Sequence, residues 1–139
     1  MFGVLGGLLA ITLVGSNSYR LKAQPVGCTA QLIQGSYAIS VTGWAFGKDL
    51  VISAAAGNMI ADGQGGVTGL ETLSLNGVVS RRIPFTGGYS ISPDCTGSVA
   101  LQAQGTIYNY DIFLANGGKS VQFIETDAGV VSSGTATQQ

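Results

Sequence analysis

Few side chains in this sequence could do chemistry, and histidine is absent from all 139 residues. Without histidine the chain has neither a Ser-His-Asp triad nor a Cys-His pair, and no serine has a visible base beside it. The two cysteines, Cys28 and Cys95, cannot complete a closed tetrahedral zinc site without further ligands. We therefore expect no metal site, no cofactor and no triad hydrolase.

One candidate for ligand binding is Glu125, which continues the alternation of Val121 and Phe123 and so shares their side of a strand. If Tyr108 and Tyr110 line the same interior, a carboxylate beside two phenols could orient a polar group of a ligand, or act as a general acid or base with a raised pKa. The alternative is a solvated Glu125 at the mouth of the interior, with tyrosines that are core residues. The candidates on this face are Tyr108, Tyr110, Phe123 and Glu125.

A second candidate is the pair Glu71 and Arg82. The dipeptide Asn76-Gly77 predicts a two-residue type I′ turn, because both residues tolerate the positive φ that its central positions require. That turn would place Glu71 directly opposite Arg82 as a cross-strand ion pair. The pair would be either a solvated surface pair or an internal pair that binds the carboxylate of a ligand.

The cysteines also have a structural interpretation. A Cys28–Cys95 disulfide is the one intramolecular pairing available, and it would close a loop of about 67 residues, which stabilises a fold by roughly 4 kcal/mol on the chain-entropy model. The alternatives are two separate buried thiols, or lipidation of Cys28. Pro25 disfavours lipidation, because it stands where a lipidation signal carries a leucine-like residue.

The composition of the chain bears on its partners. Only 9% of the residues are charged, with seven acidic and six basic side chains, against about 25% in a typical soluble protein. Such a chain has no electrostatic footprint for nucleic acid or for an anionic membrane surface. We therefore expect neither as a partner.

The N-terminal residues predict export. Residues 2–15 form an apolar stretch about as long as the core of a signal peptide and shorter than a membrane-spanning helix, which needs about 20 residues. We interpret residues 1–23 as a signal peptide cleaved after Ala23, or otherwise as a retained apolar segment, and residues 24–139 as a single domain. The mature protein is then expected to be secreted, periplasmic or at the cell surface, with no stable membrane span.

Between Gln31 and Gln138 the chain consists of short runs that alternate apolar and polar residues and end at glycine, asparagine, aspartate or proline. These runs predict an all-β domain of eight to nine antiparallel strands. A meander of that size avoids exposed edges most simply by closing on itself, so we predict a single up-and-down barrel in preference to an open sandwich. Trp44 and Phe46 fall on the opposite face from Tyr37, which predicts a bend or bulge near Gly43.

Several segments carry a resemblance to known families. Leu32 to Tyr37 (LIQGSY) resembles the opening strand of calycins, in which a glycine precedes an aromatic residue by two positions. Four further segments are similar to a group of small exported bacterial proteins of unassigned function: Glu71 to Gly77 (ETLSLNG), Phe85 to Tyr89 (FTGGY), Pro93 to Gly97 (PDCTG) and Phe123 to Asp127 (FIETD). The resemblance, over about residues 28–139, implies export, a disulfide and a barrel like those of calycins or allene oxide cyclase, and it carries no established active site.

Three functional classes agree with these expectations. The first is a secreted barrel that binds a small apolar ligand inside, which requires an interior cavity of about 300 Å³ or more. The second is a structural or surface-interaction protein with a filled core, which could self-associate. The third and least favoured is a cofactor-free isomerase or cyclase of the allene oxide cyclase type, which requires Glu125 or Glu71 buried against such a cavity.

Overall fold

The computed structural model describes residues 27–139, which form a closed antiparallel barrel of eight strands. Each strand pairs with the next in sequence, and β8 pairs with β1 to close the sheet. The strands are β1 (Gln34–Phe46), β2 (Leu50–Asp62), β3 (Gly66–Leu75), β4 (Val78–Ile91), β5 (Thr96–Ala103), β6 (Thr106–Ala115), β7 (Ser120–Glu125) and β8 (Val130–Gln138). The predicted up-and-down barrel is confirmed, and the predicted signal segment, residues 1–23, lies outside the described residues.

The alternation of apolar and polar residues places one side of every strand in the interior. On β6, Tyr110 and Ile112 are buried while their neighbours Asp111 and Phe113 are exposed. The same period of two holds on the other strands, with one interruption in β4, because successive side chains of a strand point to opposite faces. In residues 27–139 no helix is long and apolar enough to cross a membrane.

The two ends of the barrel differ. At the end where the chain enters, a short 3₁₀ turn (Ala30–Leu32) lies across the opening. The hydroxyl of Tyr89 donates to the carbonyl oxygens of Ala30 (2.9 Å) and Ile33 (2.8 Å), and the hydroxyl of Tyr37 donates to the carbonyl oxygen of Gly118 (2.7 Å). We call this the closed end. The open end carries the β1–β2, β3–β4, β5–β6 and β7–β8 connections.

A disulfide between Cys28 and Cys95 fixes the entering segment to the β4–β5 turn, with 5.0 Å between the two Cα atoms. The backbone amide of Cys28 also donates to the carbonyl oxygen of Pro93 (3.1 Å). The predicted pairing is confirmed, and it indicates an oxidising, extracytoplasmic environment. The cross-link joins positions 67 residues apart in sequence. It therefore holds the entering segment against the closed end of the barrel.

The β3–β4 hairpin begins as predicted and then departs from the prediction. Asn76 and Gly77 have φ values of 48° and 86°, as a type I′ turn requires, and Leu73 lies opposite Ser80. The register then shifts, so that Glu71 lies opposite Ile83. The predicted Glu71–Arg82 pair is therefore wrong.

The shift is a β-bulge that inserts one extra residue into β4, where Arg82 has a φ of 55°. Without the bulge, Arg82 would point into the barrel while Phe85 and Tyr89 pointed out. With it, Ile83, Phe85 and Tyr89 are buried and Arg82 is exposed. Burial of these large side chains, each worth about 1.5–3 kcal/mol, outweighs the cost of one irregular residue.

The bulge predicted near Gly43 is absent, because β1 keeps one register with β2 from Gln34 to Phe46. The alternation is unbroken there, so Trp44 and Phe46 point outward, with 46% and 61% of their surface exposed. Both side chains therefore lie on the outer face at the open end, where Trp44 also borders the opening of the interior.

The disulfide gives a first prediction. Reduction, or the double substitution Cys28→Ala/Cys95→Ala, should lower the melting temperature by roughly 10 °C or more, because a loop of this length restricts the unfolded chain strongly. Thermal unfolding followed by circular dichroism measures the change. The double variant is its own control, since reductant should not lower its melting temperature further, and an unchanged melt in the reduced wild type would contradict the account.

Candidate functional site

The barrel interior is not filled. A cavity of about 290 Å³ lies toward the open end, and a smaller one of about 70 Å³ lies deeper. The two adjoin, because they share the lining residues Val41, Glu71, Leu101 and Tyr110. Most of the remaining lining is aliphatic or aromatic, so the interior presents a largely apolar wall with a few polar groups.

The structure brings together most of the residues that the sequence proposed for a site. Tyr108, Tyr110, Glu125 and Glu71 line the larger cavity, and Phe123 lines the smaller one with Tyr110 and Glu71. Arg82 lines neither cavity and is exposed on the outside. The two carboxyl groups therefore share the interior without a basic partner from the β4 bulge.

Tyr110 is, with Glu71, one of the two polar side chains that line both cavities. Its ring packs edge-on against Phe123, with 5.4 Å between the centroids and an interplanar angle of 82°. Burial raises the pKa of its hydroxyl, and the carboxyl groups of Glu125 and Glu71 raise it further. Tyr37 and Tyr89 donate to backbone carbonyls, whereas Tyr110, whose side chain is only 9% exposed, borders both cavities.

Glu71 is held in the interior by its place on β3, opposite Gly57 on β2 and Ile83 on β4. Gly57 has no side chain to cover it, and a Cβ there would lie only 2.7 Å from the Glu71 Cα. Burial raises the pKa of the Glu71 carboxyl group. Since no other cause acts on this group, desolvation by apolar neighbours sets its acidity.

Glu125 ends β7 and lies directly opposite Tyr110 on β6. Burial raises the pKa of its carboxyl group, and so do the charge of Asp127 and a hydrogen bond to it, while a hydrogen bond from the Ser132 hydroxyl opposes them. Asp127 has a lowered pKa because the side-chain and backbone amides of Asn109 donate to it, each at 2.8 Å. Of this pair, Glu125 is the carboxyl group that takes up the proton and Asp127 the one that stays charged.

Sequence reasoning missed two serines, Ser53 on β2 and Ser132 on β8, which line the larger cavity beside apolar residues. Ser132 is only 5% exposed. The signal was present, because Val130, Ser132 and Ala136 occupy alternate positions of one strand. Among residues 27–139 no three metal-ligating side chains are grouped as a metal site would require.

Comparison with known proteins adds to the fold. No family model matches the chain, and no curated protein matches it. Three redesigned β-barrels of known structure are similar. The first, b11L5F_LGL, has a TM-score of 0.57 at 18% identity over 79% of this chain and 94% of its own.

The other two are solved with a bound small molecule, DFHBI. mFAP1 has a TM-score of 0.57 at 16% identity, over 78% of this chain and 97% of its own. mFAP0 has a TM-score of 0.54 at 16% identity, over 78% of this chain and all of its own. At such low identity the likeness is one of fold, and it places the chain among small eight-stranded β-barrels.

The burial of Glu71 gives a prediction for stability against pH. The folded protein binds the proton of Glu71 more tightly than the unfolded chain does, so stability falls as the pH rises from the unfolded-state pKa, about 4.3, through the raised folded pKa. Glu71→Gln removes the free-energy cost of burying an ionised carboxyl group at neutral pH. The variant should melt at a higher temperature than the wild type at neutral pH, and the two should converge below about pH 4.

Thermal melts across this pH range measure the effect. Asp111→Asn is the matched control, because it removes a carboxylate from the exposed outer face. A Glu71→Gln variant that melts at or below the wild-type temperature at neutral pH would contradict a desolvated carboxyl group.

Proposed function

We propose that this protein is a secreted small β-barrel that binds a small apolar molecule in its interior. The observation that carries the proposal is the cavity of about 290 Å³ at the open end, with the adjoining space of about 70 Å³ behind it. Ligand sites are typically concave, mostly apolar and on the order of 300–1,000 Å³. The volume therefore suits a compact ligand at the small end of that range.

The polar groups of the cavity suggest which chemistry the ligand carries. Glu71 and Glu125 are acceptors when ionised, and Tyr110 adds a hydroxyl that borders the same cavity. All four basic residues of the described chain lie outside the lining: Lys48, Arg81, Arg82 and Lys119. A ligand with a protonated amine or a strong hydrogen-bond donor would satisfy these acceptors, whereas an anionic ligand would meet two carboxyl groups in a dry site.

The solved neighbours support the capacity of this fold for such a role. mFAP1 and mFAP0 are barrels of similar topology bound to DFHBI. A closed eight-stranded barrel is just wide enough to hold one small ligand. The calycin-like shape implied by the opening segment agrees with the same proposal.

The two other functions fit less well. A structural protein with a filled core would leave no cavity of this size. A cofactor-free isomerase or cyclase retains one supporting observation: Glu125, with its raised pKa, borders the cavity directly opposite Tyr110. Ligand binding precedes chemistry in that case as well, so the binding experiment comes first.

The export of the protein is part of the proposal. The Cys28–Cys95 disulfide requires an oxidising compartment. Residues 1–23, with their apolar stretch, would supply the signal that directs the chain there, and cleavage after Ala23 would leave the barrel as the mature protein.

A substitution that fills the cavity tests the binding site. Ala55 on β2 lines the larger cavity, and Ala56 beside it points outward. Ala55→Phe should weaken binding of the fluorescent amine naphthylmethylamine at least about tenfold, because the phenyl ring takes the space that the ligand needs. Ala56→Phe is the matched control and should bind within about twofold of the wild type.

Fluorescence titration measures both affinities, and thermal melts confirm that each variant is folded. Equal binding by the two variants would place the ligand outside the interior and overturn the proposal. If the wild type shows no measurable binding of naphthylmethylamine, the proposal is overturned for small apolar amines.

The polar groups give a separate prediction. The wild type should bind naphthylmethylamine more tightly than its neutral analogue naphthylmethanol, and naphthoic acid least of the three, because the interior acceptors are carboxyl groups. Glu125→Gln and Glu71→Gln should each reduce the preference for the amine and leave naphthylmethanol binding unchanged. If both variants keep the full preference for the amine over naphthylmethanol, the carboxyl groups of Glu71 and Glu125 do not recognise the ligand.

A further inference from the structure

The exposed apolar side chains of the barrel are concentrated at its open end. Of the fourteen large apolar side chains that are exposed in residues 27–139, ten belong to the last three residues of a strand at that end. Six of them, which we call the apolar collar, are Trp44, Phe46, Leu50, Ile52, Val78 and Val131. An exposed apolar cluster of this kind on a soluble protein marks an interaction surface.

Five members of the apolar collar form one continuous patch. Trp44 lies opposite Ile52 on β2 and opposite Val131 on β8. Phe46 lies opposite Leu50 at the end of the same β1–β2 pair. Side chains in such opposed positions contact one another on the same face, so the patch spans three neighbouring strands.

The charges of the described chain are distributed unevenly between the two ends. Lys48 lies in the β1–β2 loop, and Arg81 and Arg82 lie on β4 just behind the β3–β4 turn, all at the open end, while Lys119 alone lies at the closed end. The exposed carboxylates away from the open end are Asp62, Asp94 and Asp111. The carboxyl groups at the open end are those of Asp49 in the β1–β2 loop, Asp127 in the β7–β8 connection, and Glu125 and Glu71 in the interior. The basic excess is therefore confined to the tip of the β3–β4 hairpin, because residues 76–83 contain Arg81 and Arg82 and no carboxylate. The low charge of the whole chain concealed this basic pair beside apolar side chains.

Along the β3–β4 hairpin, the apolar Val78 lies at the tip, and the basic Arg81 and Arg82 lie farther back from the open end. Val78, at the turn, is 72% exposed, and Arg81 follows three residues later, roughly 10 Å along the strand. Apolar faces of interfacial segments enter a bilayer by about 5–10 Å. Insertion of Val78 to that depth brings Arg81 and Arg82 level with the lipid phosphates, where arginine binds in a bidentate manner.

We propose that the open end of the barrel docks on the surface of a lipid bilayer that contains anionic lipids. The apolar collar enters the headgroup region, and Lys48, Arg81 and Arg82 contact lipid phosphates. Aromatic side chains such as Trp44 and Phe46 favour this interface. Docking does not depend on the interior ligand, but it places the mouth of the cavity where an apolar molecule could pass from the bilayer into the barrel.

A second copy of the chain is a poorer occupant of the same surface. It would cover the apolar collar but would supply no phosphate to Arg81 and Arg82, whereas an anionic bilayer offers both an apolar phase and phosphates that arginine can bind in a bidentate manner.

The test uses Trp44, the one tryptophan of the chain. With vesicles of phosphatidylcholine and phosphatidylglycerol in equal parts, its emission should shift to shorter wavelength and be quenched by lipids brominated on the acyl chain. Binding should be weaker to vesicles of phosphatidylcholine alone and should decrease with added salt. An emission spectrum unchanged by anionic vesicles would overturn the proposal.

Cosedimentation with the same vesicles compares two double variants on the outer face. Trp44→Ser/Phe46→Ser should weaken partitioning at least about tenfold, whereas Ile60→Ser/Phe113→Ser, which removes exposed apolar side chains near the closed end, should leave it within about twofold. Equal loss in both variants would overturn a collar-specific contact. A soluble dimer dissociated only by Trp44→Ser/Phe46→Ser, in light-scattering measurements, would assign the apolar collar to a second copy and overturn docking on lipid.

Discussion

The β-bulge at Arg81 and Arg82 is the constraint on which the rest of the interior depends. It reverses the facing of β4, so that Phe85 and Tyr89 enter the barrel and the two arginines leave it. Tyr89 can then bind the entering segment at the closed end. Glu71, which would otherwise face Arg82, stays in the interior without a basic partner. One inserted residue thus sets both the closure of the barrel and the acidic character of its cavity.

The closed end of the barrel contributes to its stability, and the open end carries the candidate ligand site. The closed end carries the disulfide, the 3₁₀ turn and the hydrogen bonds of two buried tyrosines, so its polar groups are satisfied by protein atoms. Toward the open end, Tyr110 and the carboxyl groups of Glu71 and Glu125 border empty space. A few polar groups that border an otherwise apolar cavity are typical of a ligand site, where they fix the orientation of the ligand.

Much of the fold could be predicted because it follows from local patterns. The meander closes into a barrel, the Asn76-Gly77 turn forms, and the disulfide joins the two cysteines of the sequence, as predicted. The bulge in β4 could not be predicted, because no glycine marks its position. Whether it forms depends on which face of β4 buries more apolar surface, and that is a property of the whole barrel. The clustering of exposed apolar residues at one end was hidden for a related reason. These residues lie near four different connections of the chain, and only the folded barrel shows that the four connections share one end. The overall composition cannot show such a local concentration.

The central claim is that the interior of the barrel receives a small apolar molecule from its open end. The most direct measurement is a set of nuclear Overhauser contacts between bound naphthylmethylamine and the methyl groups of the protein. The account predicts contacts to Leu101 and Ala55, which line the larger cavity. Contacts confined to outward-facing methyl groups such as those of Ile60 and Val131, or no contacts at all with Leu101 and Ala55, would contradict it.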